Sequence, residues 1–364
     1  MTGGLLDHRI VVCCGSGGVG KTTTAAAIAL EAATTGKRAC VVTIDPAKRL
    51  ADALGLEELT NTPHRIEGEW SAGGGELWAL MLDTKSTFDD LITRYSDDGQ
   101  QARRILDNRL YRNISGALSG TQEYMAMEKL YELHSEGKFD VVVVDTPPTR
   151  NALDFLDAPR RLTRFLDNRV FRLLMTPTRA YLRAVSVATQ ALLRTISKVV
   201  GGEVVADAVA FFQAFEGMEE GFRNRAQAVL ALLSDPATAF VLVASPRRDA
   251  VDEALFFAER LHESGISVET LVVNRLYPRF GDGTAAGARE QAGGGGDRDG
   301  AASGLWANLA DFREVAEREE AHFADLAARV APAPVVRVPF LAADVHDVDG
   351  LRRVAAHVFG QSLG

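Results

Sequence analysis

Near the N-terminus, residues 15–22 combine glycines, a lysine and a threonine at a spacing that suits phosphate binding. The segment reads GSGGVGKT, fits the pattern G-x-x-x-x-G-K-[ST], and lies between the apolar run IVVCC and an alanine-rich helical run. Glycines let backbone N–H groups curl around phosphate oxygens. Lys21 can contact the β- and γ-phosphates, and the Thr22 hydroxyl can ligate Mg²⁺. An ordinary glycine-rich turn between a strand and a helix is the alternative. The candidate nucleotide-binding residues here are Gly15, Ser16, Gly17, Gly18, Val19, Gly20, Lys21, Thr22 and Thr23.

Two aspartates follow apolar runs that read as strands. Asp145 ends the run VVVVD, and Asp45 directly follows the run ACVVTI. Phosphoryl transfer needs a carboxylate beside the metal and a group that orients the attacking water. We therefore assign Asp145, together with Thr22, to the Mg²⁺ shell, and Asp45 to alignment and deprotonation of water. Asp45 and Lys21 are the candidate catalytic residues. For each aspartate, capping of a helix N-terminus is the alternative.

Short apolar runs rich in β-branched residues alternate with longer helical stretches. Such runs are typical of parallel strands that are covered on both faces. The alternation predicts an α/β fold with a mostly parallel twisted sheet flanked by helices, and the phosphate-loop motif indicates the P-loop NTPase type. We expect the ligand crevice at the carboxyl ends of the strands. The predicted strands are 10–14, 39–44, 77–83, 141–145, 239–245, 271–275 and 335–340.

Two long stretches, 85–135 and 150–235, lack strand patterns. Apolar residues at three- and four-residue spacing predict amphipathic helices there, which together would form an inserted helical subdomain. We expect one ATPase domain over residues 1–364. Glycine, alanine and charged residues dominate 281–304, which predicts a disordered loop, with a helix from about 305 to 330.

Composition limits the classes of function. The 364-residue chain carries a net charge of −9, which argues against general nucleic-acid binding. No apolar run reaches the roughly 18 residues that a membrane-spanning helix needs, and the first residues do not resemble a signal peptide. We therefore expect a cytoplasmic protein without stable membrane insertion.

The three cysteines fit a reducing compartment; they read as small core residues, with thiolate metal ligation as the alternative.

Six segments distributed along most of the chain resemble the ArsA family of arsenite-pump and tail-anchored-protein-targeting ATPases. This family belongs to the dimerising P-loop ATPases with a deviant Walker A motif, and the similarity is greatest to an actinobacterial branch of paired paralogues. The matching segments are GSGGVGKTTTAAAIAL, DPAKRLADALG, GTQEYMAMEKL, FDVVVVDTPPTRNALDFL, VVNRLYP and VPFLAADVHDVDGL.

The resemblance implies ATP hydrolysis in a nucleotide-gated dimer, with Asp45 activating water and Thr22 and Asp145 in the Mg²⁺ shell. It also implies that Asn274 binds the adenine edge and that Pro339 and Phe340 flank the base. A turn residue after a strand is the alternative for Asn274.

Three departures from the family pattern affect this expectation. Where the family has a lysine that reaches the partner's phosphates, this chain has Ser16, which carries no charge. We hypothesise a heterodimer with a lysine-bearing paralogue; a slow or non-hydrolysing switch is the alternative. Arg150, Asn151 and Ala152 replace the usual Gly-His-Thr, and Arg150 could approach a phosphate or make a surface ion pair. The family's zinc and metalloid cysteines are missing.

The helical stretch 150–235 alternates aliphatic and basic residues, for example between 169 and 194. By resemblance it could form a groove for a hydrophobic client or membrane protein; plain packing against the sheet or a dimer partner is the alternative. The leading function is an ATPase that couples nucleotide-driven closure to a membrane-protein targeting or anion-transport partner. Alternatives are a spatial switch on membrane or DNA, an iron–sulfur reductase, and a regulatory subunit that binds ATP with little turnover.

Overall fold

The computed structural model describes residues 2–44, 49–114, 121–147, 213–293 and 300–361, together with short pieces between 158 and 211. The chain divides into two compact units. The first comprises residues 1–81, 133–152 and 236–364, and the second comprises 82–132 and 153–235. The predicted helical subdomain covers nearly the same residues as the second unit. The assignment of both units to one ATPase domain stays a prediction.

The first unit contains an eight-stranded sheet in the part of the chain that the structure describes. The strand order is β3-β4-β2-β5-β1-β6-β7-β8, and every neighbouring pair is parallel except β3 with β4. The sheet confirms the predicted α/β fold with a mostly parallel sheet flanked by helices. The strands are β1 Ile10–Cys14, β2 Arg38–Thr43, β3 His64–Ile66, β4 Glu76–Met81, β5 Val141–Asp145, β6 Thr238–Ala244, β7 Val268–Leu276 and β8 Val335–Pro339.

The central strands are apolar along their whole length because both of their faces are covered. Every residue of β1 and of β5 is buried, and Val11 and Val143 pair across the two strands with no exposed surface. The short antiparallel strand β3 was not predicted. Its three residues include two exposed polar side chains, so it shows no apolar run.

The helices of the first unit cover the sheet and form its remaining layers. Helix α1, Lys21–Thr34, is rich in alanine, and its buried alanines let the helix approach the sheet closely. The other helices of this unit are α2 Arg49–Leu54, α8 Arg248–Glu263, α9 Ala285–Gly293, α10 Gly300–His322, α11 Ala324–Val330 and α12 Val348–Phe359. Two 3₁₀-helices, Thr2–Asp7 and Glu69–Gly73, also belong to it.

The prediction of a disordered loop over 281–304 is wrong for its described residues. Residues 285–293 form helix α9, and α10 begins at Gly300 rather than near 305; residues 294–299 lie outside the described chain. The Arg313 guanidinium of α10 donates to the carbonyl oxygens of Phe280 and Asp282, at 3.0 and 2.7 Å. These bonds and the buried alanines of α9 order a segment whose composition alone suggested disorder. Alanine contributes little hydrophobic surface but is the strongest helix former, so an alanine-rich segment can form a helix.

The described secondary-structure elements of the second unit are helices, joined by turns and loops. Its helices are α3 Thr84–Tyr95, α4 Gly99–Leu106, α5 Arg109–Ile114, most of α6 Thr121–Ser135, and α7 Glu219–Leu233. Aromatic rings fill its core, with Phe211 and Phe215 at 4.9 Å and Tyr95 and Phe222 at 5.2 Å between ring centroids. Most of the predicted client groove, including residues 169–194, lies outside the described chain. No described helix is both long and apolar enough to cross a lipid bilayer.

A buried ion pair joins α6 to α7 in the second unit. Arg225 Nε donates to Glu128 Oε1 at 2.6 Å, and the Arg225 guanidinium lies 3.9 Å from the centroid of the Tyr131 ring. Glu128 is 1% exposed, so its charge is stabilised by Arg225 rather than by water. The pair therefore fixes how the two helices pack.

We expect Glu128→Ala to lower the free energy of unfolding by about 3 kcal/mol, because it leaves the partly buried Arg225 guanidinium without its carboxylate. Asp167→Ala is the matched control. It removes the carboxylate that accepts from Arg223 at 2.8 Å on the exposed surface, and its effect should stay below about 1 kcal/mol. Urea unfolding followed by circular dichroism measures both variants. Equal losses would contradict the structural role of the buried pair.

Candidate nucleotide site

The predicted phosphate loop leaves β1 and enters α1 through three glycines with positive φ. Gly15, Gly18 and Gly20 have φ of 148°, 77° and 97°. A Cβ at Gly15 would lie 2.0 Å from the carbonyl oxygen of Val243, on the neighbouring strand β6. A Cβ at Gly20 would lie 2.2 Å from Asn274 Nδ2. Gly15 and Gly20 are therefore favoured by the surrounding atoms as well as by the conformation of the loop, and Gly18 by its positive φ alone.

Lys21, the first residue of α1, folds back along the loop. Its Nζ atom donates to the Ser16 carbonyl oxygen at 2.8 Å, and the residue is 6% exposed. A buried ammonium group needs polar partners, and this carbonyl supplies one. The contact holds the cation beside the loop, where a phosphate group would lie.

Asp145, at the end of β5, accepts two hydroxyl hydrogen bonds on one oxygen. Thr22 Oγ1 donates to Asp145 Oδ2 at 2.7 Å, and Thr43 Oγ1 donates to the same oxygen at 2.9 Å. Asp145 and Thr43 are each 1% exposed. The strand register explains the cluster, because Asp145 pairs with Cys13 of β1 on one side and with Thr43 of β2 on the other.

This cluster fits a Mg²⁺ ion in its chemistry. Hydroxyl and carboxylate oxygens are the hard ligands that Mg²⁺ prefers, usually together with water and phosphate oxygens. Thr22 and Asp145 were both predicted for this role, and the structure brings them together. Sequence reasoning missed Thr43. The signal was present, since Thr43 is the polar residue near the end of an apolar strand and precedes Asp45 by two positions.

The predicted water-activating residue, Asp45, lies outside the described residues, and so do Arg150, Asn151 and Ala152. The described chain ends nearby at Ile44, whose N–H donates to the Asp145 carbonyl oxygen at 3.2 Å. It resumes at Arg49, the first residue of α2. The roles assigned to Asp45 and Arg150 stay predictions.

The predicted adenine-binding residues meet at the carboxyl ends of β7 and β8. Asn274, Pro339 and Phe340 line one cleft of about 290 Å³, which Gly20 and Thr23 also line. Asn274 Nδ2 donates to the Val19 carbonyl oxygen at 2.9 Å, and Asn274 Oδ1 accepts from the Arg275 N–H at 2.9 Å. A carboxamide has one further N–H and one further lone pair, so these bonds leave Asn274 able to pair with a base edge. Its adenine role stays a prediction.

Ser16 has a buried hydroxyl at the start of the loop. The residue is 6% exposed, and its Oγ atom has no hydrogen-bond partner among the described residues. Buried hydroxyl groups normally have a partner, so this one points to a ligand or water that completes the site. Together with the glycine cradle, it is the observation that fits a bound phosphate.

Two larger clefts lie along the loop. The first, of about 410 Å³, is lined by Lys21, Thr22, Arg49 and Thr146 among others. The second, of about 610 Å³, is lined by Ser16, Gly17, Ser245 and Arg247 among others. The first contains the side chains expected to bind phosphate and Mg²⁺, so it is the candidate reaction site.

The cysteines occupy core positions. Cys13, Cys14 and Cys40 are free and buried in β1 and β2. Burial raises the pKa of the Cys13 and Cys14 thiols, which therefore stay protonated at neutral pH. Within the described residues, no group of three or more His, Cys, Asp or Glu side chains could hold a metal ion. Their burial in the strands of the sheet fits the interpretation of the three cysteines as small core residues.

Comparison with known proteins assigns the chain to one family. The family model described as anion-transporting ATPase matches residues 8–285, which include the phosphate loop, Asp145 and Asn274. The chain belongs to this family. Members of the family bind ATP, which agrees with the geometry of the loop.

Individual relatives are distant. The ATPase ARSA1 of Chlamydomonas reinhardtii is 28% identical over 292 residues, which are 74% of this chain but 35% of that protein. The ATPase GET3 of Rhodotorula glutinis is 26% identical over 72% of this chain and 69% of its own length. A putative arsenical pump-driving ATPase 1 of Aquifex aeolicus is 21% identical over 97% and 79%. The chain thus spans about a third of the Chlamydomonas protein and larger shares of the other two.

We expect Gly15→Ala to lower the free energy of unfolding by about 3 kcal/mol, because the new methyl group would meet a backbone carbonyl that cannot move aside. Gly18→Ala is the matched control. It also places alanine at positive φ but meets no atom within 4 Å, so its effect should be about 1 kcal/mol. Urea unfolding without nucleotide measures both. A smaller effect at Gly15 than at Gly18 would contradict the described packing of the loop against β6.

Proposed function

We propose that this protein is a Mg²⁺-dependent ATPase that hydrolyses ATP to ADP and phosphate. The observation that carries the proposal is the convergence of Thr22 and Thr43 on Asp145 Oδ2 next to a glycine-cradled loop. A simple strand–helix turn has no need for a buried carboxylate that two hydroxyl groups share. A metal-nucleotide site needs this set of oxygens beside the phosphates.

Each group has a defined task under this proposal. Backbone N–H groups of residues 15–23 bind phosphate oxygens, and the N-terminus of α1 adds its partial positive charge. Lys21 contacts the β- and γ-phosphates, while Thr22 and Asp145 hold Mg²⁺, directly or through water. Thr43 orients the Asp145 carboxylate. Mg²⁺, when bound, would neutralise charge on the phosphate oxygens.

Water activation falls to Asp45 in this scheme. The N–H of its neighbour Ile44 donates to the Asp145 carbonyl oxygen. The residue before Asp45 is therefore hydrogen-bonded to the backbone of the proposed metal ligand. A carboxylate in that segment could accept a proton from water. Asn274, Pro339 and Phe340 would bind adenine in the adjoining cleft.

We further propose that the protein works as a cytoplasmic dimer of the deviant Walker A class, paired with a paralogue that carries the missing lysine. Its closure on nucleotide would be coupled to a membrane-protein targeting or anion-transport partner. The uncharged Ser16 supports a heteromeric pair, and the name of the Aquifex relative supports a link to transport. A weakly hydrolysing regulatory subunit is the second candidate, because Ser16 removes the cation that one subunit would offer the other.

Lys21→Ala tests the ATPase proposal. We expect phosphate release to fall about 100-fold or more, because the variant loses a cation that faces the developing negative charge. Lys138→Ala removes an exposed lysine elsewhere in the first unit and should match the wild type. Calorimetry with ATP and Mg²⁺ provides the binding measurement. A wild type that binds no ATP, or a Lys21→Ala variant with full activity, would contradict the proposal.

The partner hypothesis makes its own prediction. The wild type alone should hydrolyse ATP slowly, and both Ser16→Lys and a mixture with a lysine-bearing paralogue should be at least about tenfold faster. Steady-state phosphate release compares the three samples at equal site concentration. A fast wild type with no gain in either sample would rule out the missing-cation explanation, and a slow wild type with no gain would favour the regulatory subunit.

A further inference from the structure

Arg275 lies at an irregularity in β7, next to the candidate adenine residue Asn274. In the pairing with β8, Asn274 is opposite Val338 and Leu276 is opposite Pro339, so Arg275 is an extra residue in the strand. Such a bulge redirects a side chain and is common beside active sites. Its position here is at the carboxyl end of β7, where the nucleotide clefts lie.

The backbone of Arg275 is in an unfavourable conformation. Its φ is 61°, and it is the only non-glycine residue with positive φ in the described parts of the chain. Glycine would adopt this conformation without the steric penalty of a Cβ. The bond from the Arg275 N–H to Asn274 Oδ1 stabilises the turn. A strained arginine at a site that favours glycine indicates a requirement for its side chain.

The bulge directs that side chain to the phosphate loop. Arg275 Nη1 donates to the Gly18 carbonyl oxygen at 3.1 Å, and Arg275 lines all three clefts around the loop. The residue is exposed, and within the described residues it makes no ion pair with a carboxylate. A guanidinium has several N–H donors, so the bond to Gly18 leaves others to face a ligand.

The position of the Arg275 side chain matters because of the charges around the phosphate loop. Residue 16 is an uncharged serine, and Lys21 donates to the Ser16 carbonyl oxygen. The Arg275 guanidinium therefore adds positive charge next to the loop, where Arg49 and Arg247 each line one of the larger clefts, in a chain whose net charge is −9. A guanidinium group is planar and can donate two parallel hydrogen bonds to two phosphate oxygens at once.

We propose that Arg275 binds the phosphate chain of the nucleotide held by its own subunit. It would thereby supply, from the same chain, part of the positive charge that a partner's lysine would otherwise bring to that nucleotide. The inference rests on the proposed ATP binding. It differs from the partner hypothesis because Arg275 acts in the isolated chain, before any second subunit contributes.

Arg275→Gly separates this role from a structural one, because glycine keeps the bulge and relieves its backbone strain. We expect the variant to melt at the wild-type temperature or above, while its Kd for ATP with Mg²⁺ rises about tenfold. Arg275→Gln should weaken ATP binding similarly, and Arg275→Lys should weaken it less because the charge remains. Arg279→Gln is the matched control: it removes an exposed arginine four positions away that lines none of these clefts, and its Kd should stay within twofold.

Calorimetry and thermal unfolding of the full chain decide between the outcomes. Wild-type ATP affinity in a folded Arg275→Gly would overturn the inference and leave the proposed function intact. A fall in melting temperature in Arg275→Gly and Arg275→Gln, in step with the loss of binding, would assign Arg275 a structural role and overturn it too. A wild type that binds no ATP would overturn the proposed function and this inference with it.

Discussion

One buried carboxylate holds the candidate site together. Asp145 Oδ2 accepts from Thr22 at the start of α1 and from Thr43 at the end of β2. These residues are far apart in the sequence, and they meet because β5 lies between β1 and β2 in the sheet. A carboxylate so deeply buried would be strongly destabilised without hydrogen-bond donors. The two hydroxyl groups therefore stabilise the charge and keep it beside the phosphate loop.

The shape of the loop depends on its neighbours as much as on its own glycines. The Val243 carbonyl of β6 leaves no room for a Cβ at Gly15, and the Asn274 carboxamide at the end of β7 leaves none at Gly20. Asn274 also accepts from Arg275 and donates to Val19, so the end of β7 is hydrogen-bonded to the loop. The loop and the proposed base site are thus linked directly by hydrogen bonds.

Charge at this site comes from two directions. Lys21 arises from the loop itself, and Arg275 reaches the loop from a strand two positions away in the sheet. Under the proposed function, Ser16 leaves a third position neutral, which a partner subunit could fill. Lys21 and Arg275 would then favour nucleotide binding in the single chain, while the partner would affect the rate of hydrolysis.

Much of the fold follows from local sequence patterns. The apolar runs predicted seven of the eight described strands, because parallel strands covered on both faces leave no polar alternation. The phosphate loop was predicted in the same way, since its glycines, lysine and threonine are adjacent in the chain. The described structure adds β3, which is too short and too exposed to produce a pattern, and the helix over residues 285–293. That helix is stabilised by contacts with α10, which composition does not report.

Some residues of the candidate site could likewise be predicted from local sequence, and others could not. The sequence by itself determined the loop, the aspartate at the end of β5 and the asparagine at the end of β7, because each is defined by its immediate neighbours. Only the tertiary structure decided that Thr43 shares the oxygen of Asp145 and that Arg275 lies over the loop. The first depends on the order in which β2, β5 and β1 pair, and the second on a bulge and a left-handed backbone angle. Strand pairing and bulges arise from contacts between segments distant in the chain, so no local pattern specifies them.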